Sequence, residues 1–138
     1  MANKYKVEEK EGKIYCPLID KWLIAKPEER VRQNYIASLI NDYGYSLEQM
    51  AQELKVSNSH RGQGKARADI VIWKNKADKD AKKSAFIVIE CKAENVKIHV
   101  EDYYQGFNYA AWAHAEFFVT TNEKETKYFN VDPAYLPQ

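Results

Sequence analysis

The chain has little of several features that would assign it to a specialised class of protein. It has only two cysteines, Cys16 and Cys91, which form neither a disulfide framework nor a metal-binding pattern and favour a reducing, cytoplasmic setting. No apolar run approaches the roughly 18 residues of a membrane span, and the polar, charged start does not resemble a signal peptide. The net charge is only +1, so a surface that binds nucleic acid has to be local.

What is present fits a single globular domain over residues 1–138. Hydrophobic residues make up 45% of the chain and charged residues 30%, which is enough apolar material for a core under a polar surface. We see no internal repeat. The composition therefore indicates one soluble domain and says little about its chemistry.

The most informative stretch lies between residues 66 and 92. Asp69 opens one apolar run, and Glu90 and Lys92 close the next. Because successive strand side chains point to opposite faces, Glu90 and Lys92 share a face and Cys91 points away from them. Burying such charges beside the apolar residues 86–89 is costly unless each has a partner. Mg²⁺ held by the two carboxylates, with the lysine beside an attacking water, would provide partners.

The Glu-x-Lys tripeptide is weak evidence when taken alone. It occurs five times in the chain, beginning at residues 8, 11, 53, 90 and 125. Only the copy at Glu90 follows a continuous apolar strand and has an acidic residue opening a neighbouring strand. The alternative interpretation is a structural Glu90–Lys92 ion pair at a strand end, and the residues by themselves leave both open.

A helix is predicted from Pro27 to about Tyr43, ending at Gly44. Proline suits the first helical position, and glycine suits the residue after a helix. The apolar side chains of this segment recur at helical spacing and form one face. They are Val31, Tyr35, Ile36, Leu39, Ile40 and Tyr43.

Two charged residues fall within that apolar face near the start of the helix. Placing residues 100° apart puts Glu28 and Arg32 on the face, while Glu29 and Arg30 lie near or beyond its edge. Glu28 and Arg32 are either an ordinary ion pair four residues apart or part of a site.

The remaining elements follow from the same patterns. Residues 1–12 are expected to be a frayed start, 14–24 a short strand and turn, 46–50 a helical turn, and 74–84 a solvated loop. An aromatic-rich helix is predicted over 98–114. Strands are predicted at 52–57, 67–73, 85–91, 116–121 and 126–131. The order of helix, three strands, helix and two strands predicts an α/β fold around a mixed sheet.

A basic loop at 58–66 leads into Asp69. It does not match a nucleotide-binding P-loop, because the required glycine and hydroxyl residues are absent around Gly64. We interpret Arg61, Lys65 and Arg67 as contacts to a DNA phosphate backbone. An ordinary solvated hairpin loop is the alternative.

Several motifs in a fixed order now resemble a known family. Together they closely resemble the N-terminal nuclease domain of type I restriction enzyme R subunits, a member of the PD-(D/E)xK nuclease superfamily, over residues 25–131. The motifs are PEERVRQ at 27–33, YGY at 43–45, GKARADIVI at 64–72, IVIECKA at 87–93, QGFNY at 105–109 and TTN at 120–122.

The resemblance implies roles for individual residues. Asp69, Glu90 and Glu28 would bind metal as part of the catalytic site, and Lys92 would be the catalytic lysine. Arg32 would be the structural partner of Glu28.

The resemblance also implies a DNA-binding element, a fold and an activity. Gln105 and Tyr109 match a Gln-x-x-x-Tyr element that helps to place DNA. The implied fold is the restriction-endonuclease-like αβββαβ core, with helices flanking a mixed central sheet. The implied activity is hydrolysis of DNA phosphodiester bonds with Mg²⁺, for which Mn²⁺ can substitute.

Two departures from the family pattern narrow what is implied. Ala68 stands where the superfamily signature has proline. The chain offers no Walker motif and hence no ATP site, so it is either an excised domain or a free-standing relative. Motor, methyltransferase and specificity subunits are expected partners if it works in a type I complex; a membrane is not. A catalytically silent module that binds DNA or a subunit, and a repair or junction nuclease, are the alternative functions.

Overall fold

A computed structural model describes residues 4–55, 67–99, 107, 110 and 114–131, with side chains at all of these except 53–55 and 67–68. This part of the chain contains two sheets, two α-helices described over their whole length, and two residues of a further helix. The elements are β1 (Glu9–Lys10), β2 (Lys13–Cys16), β3 (Lys21–Ile24), α1 (Pro27–Asn41), a 3₁₀ turn (Leu47–Gln49), β4 (Met50–Lys55), β5 (Arg67–Ile72), α2 (Lys76–Asp80), β6 (Ile87–Cys91), β7 (Phe117–Thr121) and β8 (Thr126–Asn130).

The main sheet has five strands in the order β4-β5-β6-β7-β8. Neighbouring strands are antiparallel except β6 and β7, which are parallel. A parallel pair requires a long crossover connection, and residues 92–116 provide it. Phe107 and Ala110 within that connection are helical; the rest of the helix predicted over 98–114 lies mostly outside the described residues. The predicted α/β fold with a mixed sheet is confirmed.

Helix α1 covers one face of this sheet. Pro27 occupies the first turn, and the chain leaves the helix before Gly44, which has a φ of +80°. Such a φ costs glycine little, because glycine has no Cβ. The buried side chains Val31, Ile36 and Leu39 pack against strand residues that include Ile70 and Ile89. The predicted apolar face is therefore largely correct.

Tyr43 is the exception on that face, since it is 58% exposed. The helix ends at Asn41, two residues earlier than predicted, so Tyr43 leaves the helical repeat and turns to solvent.

The opposite face of the sheet holds a second cluster of buried side chains. Val71, Trp73, Val88 and Phe118 lie in it, and the ring of Phe107 meets that of Phe118 edge-on at a centroid distance of 6.0 Å. Strands β5 and β6 are thus buried on both sides, as their nearly continuous apolar runs predict. No helix in the described part of the chain is long and apolar enough to cross a membrane.

The prediction of a frayed start over residues 1–12 is wrong for Glu9 and Lys10, while residues 1–3 lie outside the described part of the chain. Glu9 and Lys10 pair with β2 across a turn at Glu11 and Gly12, both with positive φ. The resulting sheet, in the order β1-β2-β3, packs beside α1. The short strand and turn predicted over residues 14–24 are confirmed as β2 and the turn after it, and the sequence did not predict β1 or the second strand, β3.

The prediction of an irregular loop over 74–84 is also wrong in part. Residues Lys76–Asp80 form helix α2, and the side chain of Asn75 caps it by accepting a hydrogen bond from the Asp78 N–H at 2.8 Å. The helix has no buried residue, so no apolar periodicity marks it in the sequence.

Candidate functional site

Strands β5 and β6, which are neighbours inside the main sheet, carry or adjoin three of the predicted site residues. The paired residues of these antiparallel strands end with Ile70 and Ile89, and Asp69 and Glu90 lie next to them, one on each strand. The Asp69 carboxylate reaches the Cys91 N–H, and its negative charge helps to raise the pKa of Glu90, so the two acidic groups are close. Lys92 follows Glu90 by two residues, and its Nζ lies 3.6 Å from Glu90 Oε1.

Glu90 is a desolvated carboxylate. Its side chain is 14% exposed, and Oε1 is buried without a hydrogen-bond partner, because the Lys92 ammonium is too distant for one. Burial raises the pKa of Glu90 to about 7. The positive charge of Lys92 opposes this shift, and the negative charges of Asp69 and Glu28 add to it. Near neutral pH this group can therefore both take up and release a proton.

Asp69 is held at both oxygens. Oδ2 accepts a hydrogen bond from the Cys91 N–H at 2.7 Å, and Oδ1 accepts one from Arg32 Nη2 at 3.3 Å. The first contact joins β5 to the end of β6, and the second joins β5 to α1. Because a carboxylate has about four lone-pair sites, both oxygens keep capacity for a further ligand.

The first two turns of α1 contribute a buried polar cluster. Glu29 Oε1 lies 3.4 Å from Arg32 Nη1, and Glu29 Oε2 accepts a hydrogen bond from Gln33 Nε2 at 2.7 Å. All three of these side chains are buried. Glu29, predicted to lie near or beyond the edge of the apolar face, is therefore buried among polar partners. The pairing with Arg32 offsets the cost of burying its charge.

Glu28, the acid assigned to the site from the resemblance, is partly exposed. Its charge is felt at Glu90, whose pKa it helps to raise. The pairing of Arg32 with Glu28 stays a prediction, and the contacts described for the Arg32 guanidinium are with Glu29 and Asp69. A helix face drawn at 100° per residue could not show these tertiary contacts.

Asp69 and Glu90 are the side chains that best suit a divalent cation here. In the described residues, no three Asp, Glu, His or Cys side chains are gathered closely enough to hold a metal ion. Mg²⁺ is commonly bound by one or two carboxylates, with water and substrate phosphate completing its shell. The unpartnered Oε1 of Glu90 and the spare lone pairs of Asp69 fit that smaller donor set.

Comparison with known proteins identifies the family of this chain. The family model described as the type I restriction enzyme R protein N terminus matches residues 27–136. The chain belongs to this family. No curated protein and no solved structure matches the chain. Every site residue described above lies in the matched segment of the R-protein N terminus, whereas strands β1 to β3 precede it.

Four residues assigned to DNA contacts lie outside the described part of this R-protein N terminus. They are Arg61, Lys65, Gln105 and Tyr109. Arg67 is the first residue of β5, but its side chain is not among those described. The roles of these five residues therefore stay predictions.

Asn122, to which the sequence analysis gave no role, supports the site from β7. Its Nδ2 donates to the Val96 carbonyl at 2.8 Å, and its Oδ1 accepts from the N–H groups of Lys124 and Glu125. The Lys92 N–H meanwhile donates to the Thr121 carbonyl. Asn122 thus fixes the β7–β8 turn and the segment after Lys92. In the sequence, an asparagine directly after a predicted strand and before polar residues indicates such a turn.

A cavity of about 430 Å³ lies between α1 and strands β7 and β8. Tyr35, Tyr43 and Tyr128 line it, and its wall includes none of Asp69, Glu90 and Lys92. Burial raises the pKa of Tyr35, and its interaction with Tyr128 raises it further. We therefore place the candidate site at Asp69 and Glu90 rather than in this cavity.

Proposed function

We propose that this chain is a Mg²⁺-dependent DNA endonuclease, the cleavage module of a type I restriction system. The observation that supports this most is the state of Glu90, a largely buried carboxyl group with a pKa of about 7, whose Oε1 accepts no hydrogen bond and lies 3.6 Å from the Lys92 ammonium. A buried oxygen that accepts no hydrogen bond costs folding free energy. A divalent cation between Asp69 and Glu90 would remove that cost. Metal binding would therefore explain why an acidic residue occupies this position.

Each residue of the site has a role in this proposal. Asp69 and Glu90 hold the metal, and Glu28 adds negative charge nearby. When bound, Mg²⁺ would polarise the phosphate and lower the pKa of a coordinated water. Lys92 places an ammonium next to Glu90, where it can offset the phosphate charge and orient the attacking water. Arg32 and the Cys91 N–H keep the Asp69 carboxylate oriented.

The family supports the biological setting. An R-protein N terminus works in a restriction enzyme, so the proposed substrate is foreign duplex DNA in the cytoplasm. The proposed partners are the motor, methyltransferase and specificity parts of such an enzyme. ATP binding is assigned to those parts and not to this chain, which has no Walker motif.

A second candidate function is a catalytically silent module that binds DNA or another subunit. Two observations favour it. Arg32 forms an ion pair with Asp69, and the described residues contain no group of three side chains that could hold a metal ion. In that case the raised pKa would keep Glu90 largely protonated below pH 7, and no cation would be needed there.

A plasmid-nicking assay separates the two candidates. We expect the wild type to nick supercoiled plasmid with Mg²⁺ or Mn²⁺ and not with EDTA. Lys92→Ala should remain folded by circular dichroism and lose nicking. Lys97→Ala is the matched control, because Lys97 is an exposed lysine shortly after the site. A wild type that binds duplex DNA but neither nicks it nor gives a calorimetric signal with Mg²⁺ or Mn²⁺ would establish the silent module.

A further inference from the structure

The N-terminal sheet turns one face away from the rest of the molecule. The register pairs Lys10 with Lys13, Tyr15 with Trp22, and Lys13 with Ile24. Because opposite residues share a face and alternate residues along a strand return to it, these five side chains lie together. We call them the outer face: Lys10, Lys13, Tyr15, Trp22 and Ile24.

The other side of this sheet anchors it firmly. Ile14 and Cys16 are buried against the main body. Cys16 Sγ donates a hydrogen bond to Gln52 Oε1 in β4 at 2.7 Å. Glu9 Oε1 pairs with Arg30 Nε in α1 at 2.7 Å. The outer face therefore belongs to a sheet that is packed against the rest of the protein.

Aromatic and cationic groups are neighbours on the outer face. Trp22 is 41% exposed, and its ring centroid lies 5.4 Å from that of Tyr15. Lys10 Nζ lies 6.0 Å from the Trp22 centroid. Lys13 sits beside Lys10 in the register, and Ile24 is 66% exposed. An exposed indole ring with one ammonium group beside it and a second lysine on the same face suits a ligand that has both a flat π surface and negative charge.

We propose that the outer face binds single-stranded DNA, with one base stacked on Trp22 and the adjacent phosphates near Lys10 and Lys13. Stacking on an aromatic side chain accepts any base, because every base has a π face, and lysines contact the backbone. The paired positive charges on the face favour a nucleic acid over an apolar protein partner. Glu8 and Glu11 are exposed close by, so stacking should contribute more than charge.

This inference is separate from the proposed cleavage reaction. The outer face precedes residue 27, where the match to the R-protein N terminus begins. A strand separated near a cleavage site, or displaced while duplex DNA is moved, would provide the ligand. Binding can be measured in EDTA, where the proposed metal-dependent reaction does not run.

The test uses the whole chain and a fluorescein-labelled oligo(dT) of about 12 nucleotides, a length within the range of single-strand binding sites. Fluorescence anisotropy in EDTA gives the dissociation constant. Trp22→Leu keeps an apolar side chain but removes the aromatic ring, and we expect about tenfold weaker binding. Trp22→Phe keeps a ring and should bind nearly as the wild type does.

The lysines are tested by salt dependence. For the double variant Lys10→Gln/Lys13→Gln, the slope of log K against log salt should fall in magnitude by up to about 1.4, or about 0.7 for each phosphate that a lysine no longer neutralises. The matched control is Lys82→Gln/Lys83→Gln, which removes two adjacent exposed lysines far from this sheet in sequence. This control should leave the slope unchanged.

Several results would overturn the proposal. Wild-type affinity in Trp22→Leu would exclude stacking, and an equal effect of both lysine pairs would exclude a local site. Binding of oligo(rU) but not oligo(dT) would assign the face to RNA. Trp22-dependent self-association by sedimentation, without DNA binding, would make the face a protein interface.

Discussion

Arg32 and Asp69 form an ion pair in the interior of the protein, with 3.3 Å between Nη2 and Oδ1. The side chain of Arg32 is only 3% exposed, and its other terminal nitrogen lies 3.4 Å from Glu29. One guanidinium therefore serves two buried carboxylates on different elements, helix α1 and strand β5. Arg32 therefore links the Asp69 carboxylate of the candidate site to helix α1.

Replacing Arg32 with alanine should be strongly destabilising. The change leaves the carboxylates of Asp69 and Glu29 buried without their common cation, a situation that typically costs about 3–5 kcal/mol. Urea denaturation followed by circular dichroism would measure the loss in the free energy of unfolding.

Arg30→Ala is the control for that experiment. Arg30 lies on the same helix, and its pair with Glu9 is exposed. Surface pairs contribute about 0–1 kcal/mol. Equal losses for the two variants would show that the Arg32 network is no stronger than a surface ion pair.

Glu90→Gln should stabilise the metal-free protein at alkaline pH. The pKa of Glu90 is raised from 4.5 to about 7 in the folded state. Between these values the native state binds more protons than the unfolded state, so stability falls as pH rises. Above pH 7 the ionised carboxylate costs on the order of 3 kcal/mol, which glutamine does not incur.

Unfolding in urea at pH 5 and pH 8, with EDTA present, would check this dependence on pH. The advantage of Glu90→Gln should be largest at pH 8 and nearly absent at pH 5. Glu94→Gln, at an exposed glutamate four residues later, should show no such dependence. An advantage of equal size at both pH values would argue against a raised pKa.

Divalent cations should stabilise the folded protein if Asp69 and Glu90 bind one. At a concentration 100 times the dissociation constant, a ligand of the native state adds about 2.7 kcal/mol. We therefore expect Mn²⁺ to raise the Tm of the wild type at pH 8 and to have little effect on Asp69→Asn. Asp80→Asn changes an exposed carboxylate and should respond to Mn²⁺ as the wild type does. A Tm that rises equally in all three proteins would mean that the cation binds elsewhere.

Asn122→Ala should destabilise the turn that follows β7. The buried amide makes three hydrogen bonds to backbone groups, and the carbonyl and N–H groups left behind lose their partners. We expect a loss of about 1–3 kcal/mol, measured by thermal or urea unfolding.

Asn34→Ala provides the comparison for Asn122. Asn34 also makes a side-chain hydrogen bond, to Glu123 at 2.7 Å, but that bond is exposed. Its loss should change stability by less than about 0.5 kcal/mol. The Asn122 interpretation would fail if the two substitutions had the same effect.

The main sheet could be predicted because its strands carry strong local signals. Residues 86–89 are apolar without interruption, and the alternation around Glu90 and Lys92 fixed their common face. The segment around Asp69 was equally clear. These features depend only on the geometry of an extended chain buried on both sides, so the sequence is sufficient to recognise them.

The contacts of α1 and the N-terminal sheet could not be predicted in the same way. Glu29 is buried with Arg32 and Gln33, and Arg32 in turn contacts Asp69 on β5, a tertiary contact that periodicity within the helix does not contain. Strands β1 to β3 are two to four residues long. Such elements are defined by tertiary packing rather than by their own sequence pattern.

The hydrogen bond between Cys16 and Gln52 has a consequence for how the protein is divided. The family match begins at residue 27, yet Cys16 is buried and bonded to a strand of the main sheet. Trimming the chain to the matched segment would remove the N-terminal sheet. Gln52 and the surface of α1 that this sheet covers would then be exposed to water. The segment that folds as one unit is therefore longer than the segment that the family match covers.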